Sequence, residues 1–93
     1  MTILRETPSP AADPPTLALS ALGWVLGDGD RAARLLALTG LTPEALRGGL
    51  GDPSLLAAVL DFLCAHEPDL MAAADALGVS PQDLTGARDR LAG

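Results

Sequence analysis

Beyond the first dozen residues, a capping residue followed at once by proline occurs four times, at Asp13-Pro14, Thr42-Pro43, Asp52-Pro53 and Ser80-Pro81. Proline has no N–H to give a helix interior, but its fixed φ suits the first helical position. The hydroxyl or carboxylate just before it can accept one of the orphan amides of the first turn. Each such pair therefore starts a helix and forbids one from running through it. Gly40 and Gly78 stand where a left-handed residue closes a helix. Between these marks there is room only for short helices. The spacing predicts Pro14–Leu26, a second helix capped by Asp28 or Asp30 and ending at Thr39, and a brief third opened by Thr42-Pro43. It then predicts Pro53–Ala65, a helix from Glu67-Pro68 to Leu77, and Pro81–Leu91.

Composition agrees with this segmentation. Ala and Leu dominate the apolar residues, with one Trp (Trp24), one Phe (Phe62) and no Tyr. Strong helix formers are abundant and strand formers scarce. The expected fold class is all-α, a compact bundle of five or six short helices with helix-turn-helix-like corners. The length of 93 residues suits one domain, expected over 14–93. Residues 1–13, rich in Pro, Thr, Ser and Ala, show no apolar period and are expected to be a flexible tail.

One corner occurs twice. Leu38-Thr39-Gly40-Leu41-Thr42-Pro43-Glu44-Ala45-Leu46 matches Ala76-Leu77-Gly78-Val79-Ser80-Pro81-Gln82-Asp83-Leu84 in chemistry. Both read as a helix end, a glycine stop, an aliphatic staple, a hydroxyl cap, proline, and a leucine one turn later.

The apolar faces are uneven. In the fourth helix, Leu55, Leu56, Val59, Leu60, Phe62, Leu63 and Cys64 sweep roughly 200°, and Asp61 is the only charge on the remaining arc. That helix is expected at the centre. In the first helix, Leu17, Ala21 and Trp24 form one stripe, while Leu19, Leu22 and Leu26 lie on an adjoining face. Either the two wide arcs pack on each other under cover of the other helices, or part of one is left for a partner or a second copy. Leu19, Leu22 and Leu26 are the candidate partner-binding residues. Asp28 and Asp30 would give that face an acidic rim suited to basic groups around an apolar centre.

Chemistry-bearing residues are few. His66 and Cys64 are the only His and Cys, and there is no Lys. Two residues apart on a helix, they point about 160° away from each other and cannot pair. A single His and a single Cys supply neither a zinc site nor a disulfide. The expectation is no catalytic residue, no metal and no cofactor. Asp61 is expected to be exposed or paired with an arginine.

The second corner, followed by Pro81–Leu91, resembles the turn and recognition helix of helix-turn-helix proteins. Its exposed side chains nevertheless balance Arg88 and Arg90 against Asp83 and Asp89, in a chain of net charge −6. Phosphate contacts require positive groups, so nucleic acid is disfavoured and stays the alternative. The N-terminus lacks the cationic start and apolar run of a secretory leader, and the apolar stretches fall short of the roughly 20 residues that span a bilayer. A cytoplasmic location without membrane contact is expected.

The strings Ala21-Leu22-Gly23-Trp24, Arg31–Leu46, Gly51-Asp52-Pro53 and Ala58–Leu70 carry a resemblance across about residues 16–91. The chain is similar to a family of short bacterial proteins known as domain of unknown function 3572. The resemblance implies an all-helical intracellular protein and carries over no activity and no functional residue. From the residues, the expected function is that of a small non-enzymatic protein-interaction module, acting on an unidentified protein partner or by self-association.

Overall fold

A computed structural model describes residues 13–93. Those residues form α1 (Pro14–Leu26), α2 (Gly29–Thr39), α3 (Pro43–Gly48), α4 (Pro53–Cys64), α5 (Glu67–Leu77) and α6 (Pro81–Ala92), with no strand among them. The architecture is an all-α bundle of short helices. The expected tail lies outside the described residues except for Asp13.

The helix starts follow from local chemistry. Asp28 accepts the Arg31 N–H, Thr42 the Ala45 N–H, Asp52 the Ser54 N–H and Ser80 the Asp83 N–H. At Ser80 the reciprocal bond also forms, from the Ser80 N–H to Asp83 Oδ2, which completes a capping box. Asp13 is the exception. It holds the extended cap conformation, but its carboxylate takes the Thr16 hydroxyl and no backbone N–H. Pro15 removes the N2 amide, one of the two that it could have capped.

Gly40 and Gly78 are the described residues with positive φ, at 75° and 71°. At Gly78 the Val79 N–H reaches back to the Ala74 carbonyl at 3.0 Å. At Gly40 the glycine N–H itself bonds the Leu36 carbonyl at 2.9 Å, and the Leu41 N–H turns to the Thr39 hydroxyl. The backbone conformation is shared, while the carbonyls are satisfied differently. Both staples are half-buried: Leu41 and Val79 pack against the core.

One continuous core draws on all six helices. α4 supplies the largest share of it through Leu55, Leu56, Val59, Leu60, Phe62 and Leu63. It touches α1, α2, α5 and α6, as expected of a central helix, but α1 also touches α2, α4, α5 and α6. The centre is therefore shared by two helices, which explains why both carry such wide apolar arcs. Each fully buried leucine here, such as Leu17, Leu60 or Leu63, contributes about 1.5–3 kcal/mol relative to exposure.

Candidate interaction surface

The three leucines expected to form a binding face of α1 do not share one environment. Leu22 is 4% exposed and belongs to the core, whereas Leu19 and Leu26 are 41% and 47% exposed. Leu22 is therefore withdrawn from the candidate surface. The buried set of α1 is Leu17, Ala18, Ala21, Leu22 and Val25, an arc that ends at Leu22, with Leu19 and Leu26 about 40–60° beyond it. The expected stripe runs through Leu17, Ala21 and Trp24. Ala18 and Ala21 let neighbouring helices approach closely, and this rotates the stripe towards Val25. Trp24 is left half-buried on its other edge, facing α2, where the Arg31 guanidinium lies 3.8 Å from its ring centroid.

A cluster of charged residues joins α2 to the start of α5. Asp69 is the one buried charged residue among those described. Its Oδ2 accepts from Arg34 Nη2 at 2.9 Å and lies 3.0 Å from His66 Nδ1, while Arg31 Nε is 4.0 Å from Oδ1. The short contact to a carboxylate places the proton on His66 Nδ1. The 3.4 Å approach of Arg34 Nη1 to the same nitrogen then sets donor against donor and is not a hydrogen bond. Burial alone would push the Asp69 carboxyl up; the hydrogen bonds and charges of His66 and Arg34 outweigh it and hold the carboxyl below its usual range. His66 is thus the residue before α5, tied to the third residue of that helix, and does not act at the end of α4. Sequence reasoning missed Asp69, Arg31 and Arg34. The available signal was the matched three-residue spacing, Arg31 to Arg34 on one helix and His66 to Asp69 at the start of another.

The cluster can orient an imidazole, but the nearest thiol in sequence is not activated. Burial pushes the Cys64 thiol up, and Asp61 and Asp89 add to this against the charge of Arg88. A thiol kept protonated is a poor nucleophile at neutral pH. Among the described residues no group of three His, Cys, Asp or Glu side chains is placed to hold a metal ion. No described helix is long and apolar enough to cross a membrane.

An open apolar feature lies between α2 and α4. A trough of about 410 Å³ is lined by Leu38, Thr39, Ala58, Asp61, Phe62 and Ala65. Leu38 stands at its lip with 73% of its surface exposed, the most exposed of the large apolar side chains described. On the other side of the Ala58–Asp61 ridge is a hollow of about 350 Å³, bounded by α6 through Arg88 and Ala92. Asp61 is exposed and paired with Arg88 at 3.6 Å, and Arg88 also bonds Asp89. A cation expected on a DNA-reading face of α6 is therefore already engaged by two carboxylates.

The family model for Protein of unknown function (DUF3572) matches residues 11–93. The chain belongs to this family. No curated protein and no solved structure matches it. In this DUF3572 protein the strings that carried the resemblance have structural work. Leu38–Leu46 spans the Gly40 corner, and Ala58–Leu70 holds the central face of α4 together with His66 and Asp69.

Proposed function

We propose that this DUF3572 protein is a small non-enzymatic protein-interaction module. The observation that carries the reading is the position of Leu38. A leucine is left open at the lip of a trough already floored by Ala58, Phe62 and Ala65. Single exposed leucines are ordinary on any protein, but one that extends a concave apolar surface marks a place for another molecule. The outer side of α1, with Leu19 and Leu26 exposed and Asp28 and Asp30 following in sequence, is a second surface for a partner or a second copy.

The alternative, nucleic-acid binding through the Gly78 corner, has against it the net charge and the engagement of Arg88 by Asp61 and Asp89. A photo-reactive residue placed at position 38, and separately at position 19, in the full chain tests the reading inside the native cell. The expected result is a discrete protein adduct at one of these positions. Absence of any protein adduct at both, together with sub-micromolar DNA affinity lost in Arg88→Ala/Arg90→Ala, would replace this reading with the alternative.

A further inference from the structure

We infer that the trough between α2 and α4 receives a basic amphipathic helix of a partner protein, seated on Ala58 with a lysine or arginine against Asp61. This deepens the interaction reading above and rests on it.

Ser54, Ala58, Asp61 and Ala65 follow one another at helical spacing along the outer side of α4, a ridge about 17 Å long. Hollows of about 410 and 350 Å³ flank that ridge, and Ala58 and Asp61 line both. This is the relief a helix requires: a low ridge that its backbone can approach, with grooves on either side for its larger side chains. The larger trough offers Leu38, Phe62 and two alanines as its apolar lining, so the occupant must be apolar along that side.

Charge fixes the rest of the choice. Asp61 is the sole charged residue in the larger trough and lies near the middle of the ridge. Its Oδ1 meets Arg88 at 3.6 Å, and its remaining acceptor sites can take a second cation without releasing Arg88. An apolar helix that covers Asp61 without a cation would strip a carboxylate of water at a cost, whereas one with Lys or Arg there gains a paired contact. The same carboxylate repels phosphate. A second copy seated through the same ridge would bring two Asp61 side chains close to the two-fold axis, inside an apolar surface. A cationic helix from a different protein meets neither penalty.

Two synthetic helical peptides of about four turns, alike in their leucine face and carrying either Lys or Glu at the central contact position, are the probes. They are titrated into the full chain while backbone amide shifts are followed by NMR. The Lys peptide is expected to shift Leu38, Ala58, Asp61, Phe62 and Ala65, and to bind about tenfold more tightly than the Glu peptide. Asp61→Lys is expected to reverse that preference, and Leu38→Glu to abolish binding with the melting temperature unchanged. Equal binding of the two peptides, no binding, shifts confined to the Leu19 and Leu26 side, or a dimer lost in Leu38→Glu would each overturn the inference. A protein adduct at position 19 combined with failure of the peptides would remove the trough and leave the interaction reading standing. Failure at both positions in the cell would remove that reading itself.

Discussion

The corners at Gly40 and Gly78 begin from the same order of glycine stop, aliphatic staple, hydroxyl cap and proline, and end in different places. Leu35 and Ala73, one turn before each glycine stop, are both fully buried; Leu41 and Val79 are both half-buried; Leu46 and Leu84 both enter the core. Then the two part. α3 stops after six residues, while α6 continues for twelve and packs along α4 and α1. The divergence lies at Gly48-Gly49 against Gly86-Ala87. Ala87 buries its methyl in the core, whereas a methyl at Gly49 would meet Leu55 Cδ1 at 2.5 Å. Caps and glycines thus set the local bend alike at both sites. After the shared bend, α6 goes on where Ala87 packs into the core, and α3 ends where Gly49 lies against Leu55.

The largest effect separating the corners should come from their core leucines. Leu84→Ala, at a site with no exposure and helices on several sides, is expected to cost about 3–4 kcal/mol. Leu46→Ala is expected at about 2 kcal/mol, because α3 gives the core no other buried side chain and can settle inward. Chemical denaturation of the two variants measures the difference. Equal losses would mean that α3 is held as rigidly as α6.

Next in size is the tie between the corners' first helices. Asp69 on α5 holds Arg34 on α2, so Asp69→Asn loosens α2, whose only fully buried side chain is Leu35. Arg34 and His66 remain half exposed and can be rehydrated, which limits the cost to about 1–2 kcal/mol. The pH dependence has a definite sign. The folded carboxyl titrates below its ordinary value of 3.8. Its contribution is therefore complete above that value and lost as the pH falls through the lower folded one. Acid unfolding should show this component in the wild type and lack it in Asp69→Asn. A wild-type stability that coincides with the variant's above pH 4 as well as below it would show that the cluster does not stabilise the fold.

Much of this architecture was legible because helix boundaries depend on neighbours in sequence. Prolines, caps and the two left-handed glycines act within four residues, so the six helices could be placed closely without tertiary knowledge. The core faces of α5 and α6 were legible too, since Leu70, Ala73, Ala74 and Leu77, and Leu84, Ala87 and Leu91, make single narrow stripes. α1 was not. Nearly every one of its residues is apolar, so periodicity gave no unique face, and the buried side was settled by where α2, α4, α5 and α6 lie. The Asp69 cluster was hidden for a related reason: a buried carboxylate is explained by partners 35 and 38 residues away in the chain. Leu38 was hidden because a leucine at a helix end reads as core until the trough beside it is seen.

A smaller effect tests whether the two bends are locally equivalent. Gly40 and Gly78 share a left-handed φ, and a methyl at either would meet no atom within 4 Å. Replacement by alanine should therefore cost only backbone strain, about 1–2 kcal/mol at each site. The two losses are expected to agree within about 0.5 kcal/mol, a usual margin for independent surface sites. A much larger loss at Gly78 would show that packing around the corner contributes to it, and that the likeness ends at the dihedral angle.

The smallest effect is expected where the corners differ in a side chain that neither geometry requires. Leu38 corresponds to Ala76, and both positions are exposed, so the bend itself directs this residue to the surface. If the fold needed an apolar side chain there, alanine would not serve at Gly78. Leu38→Ala makes the first corner match the second at this point. It should change stability by less than about 0.5 kcal/mol, because an exposed side chain loses little burial and alanine is at least as good a helix former. A thermal melt of the full chain, read by far-UV circular dichroism, is sufficient. An unchanged transition leaves Leu38 without a structural reason and puts the weight on recognition. A loss of 2 kcal/mol or more would mean that Leu38 packs into the α2–α4 trough in solution and fills it, and the surface offered to a partner would then be closed.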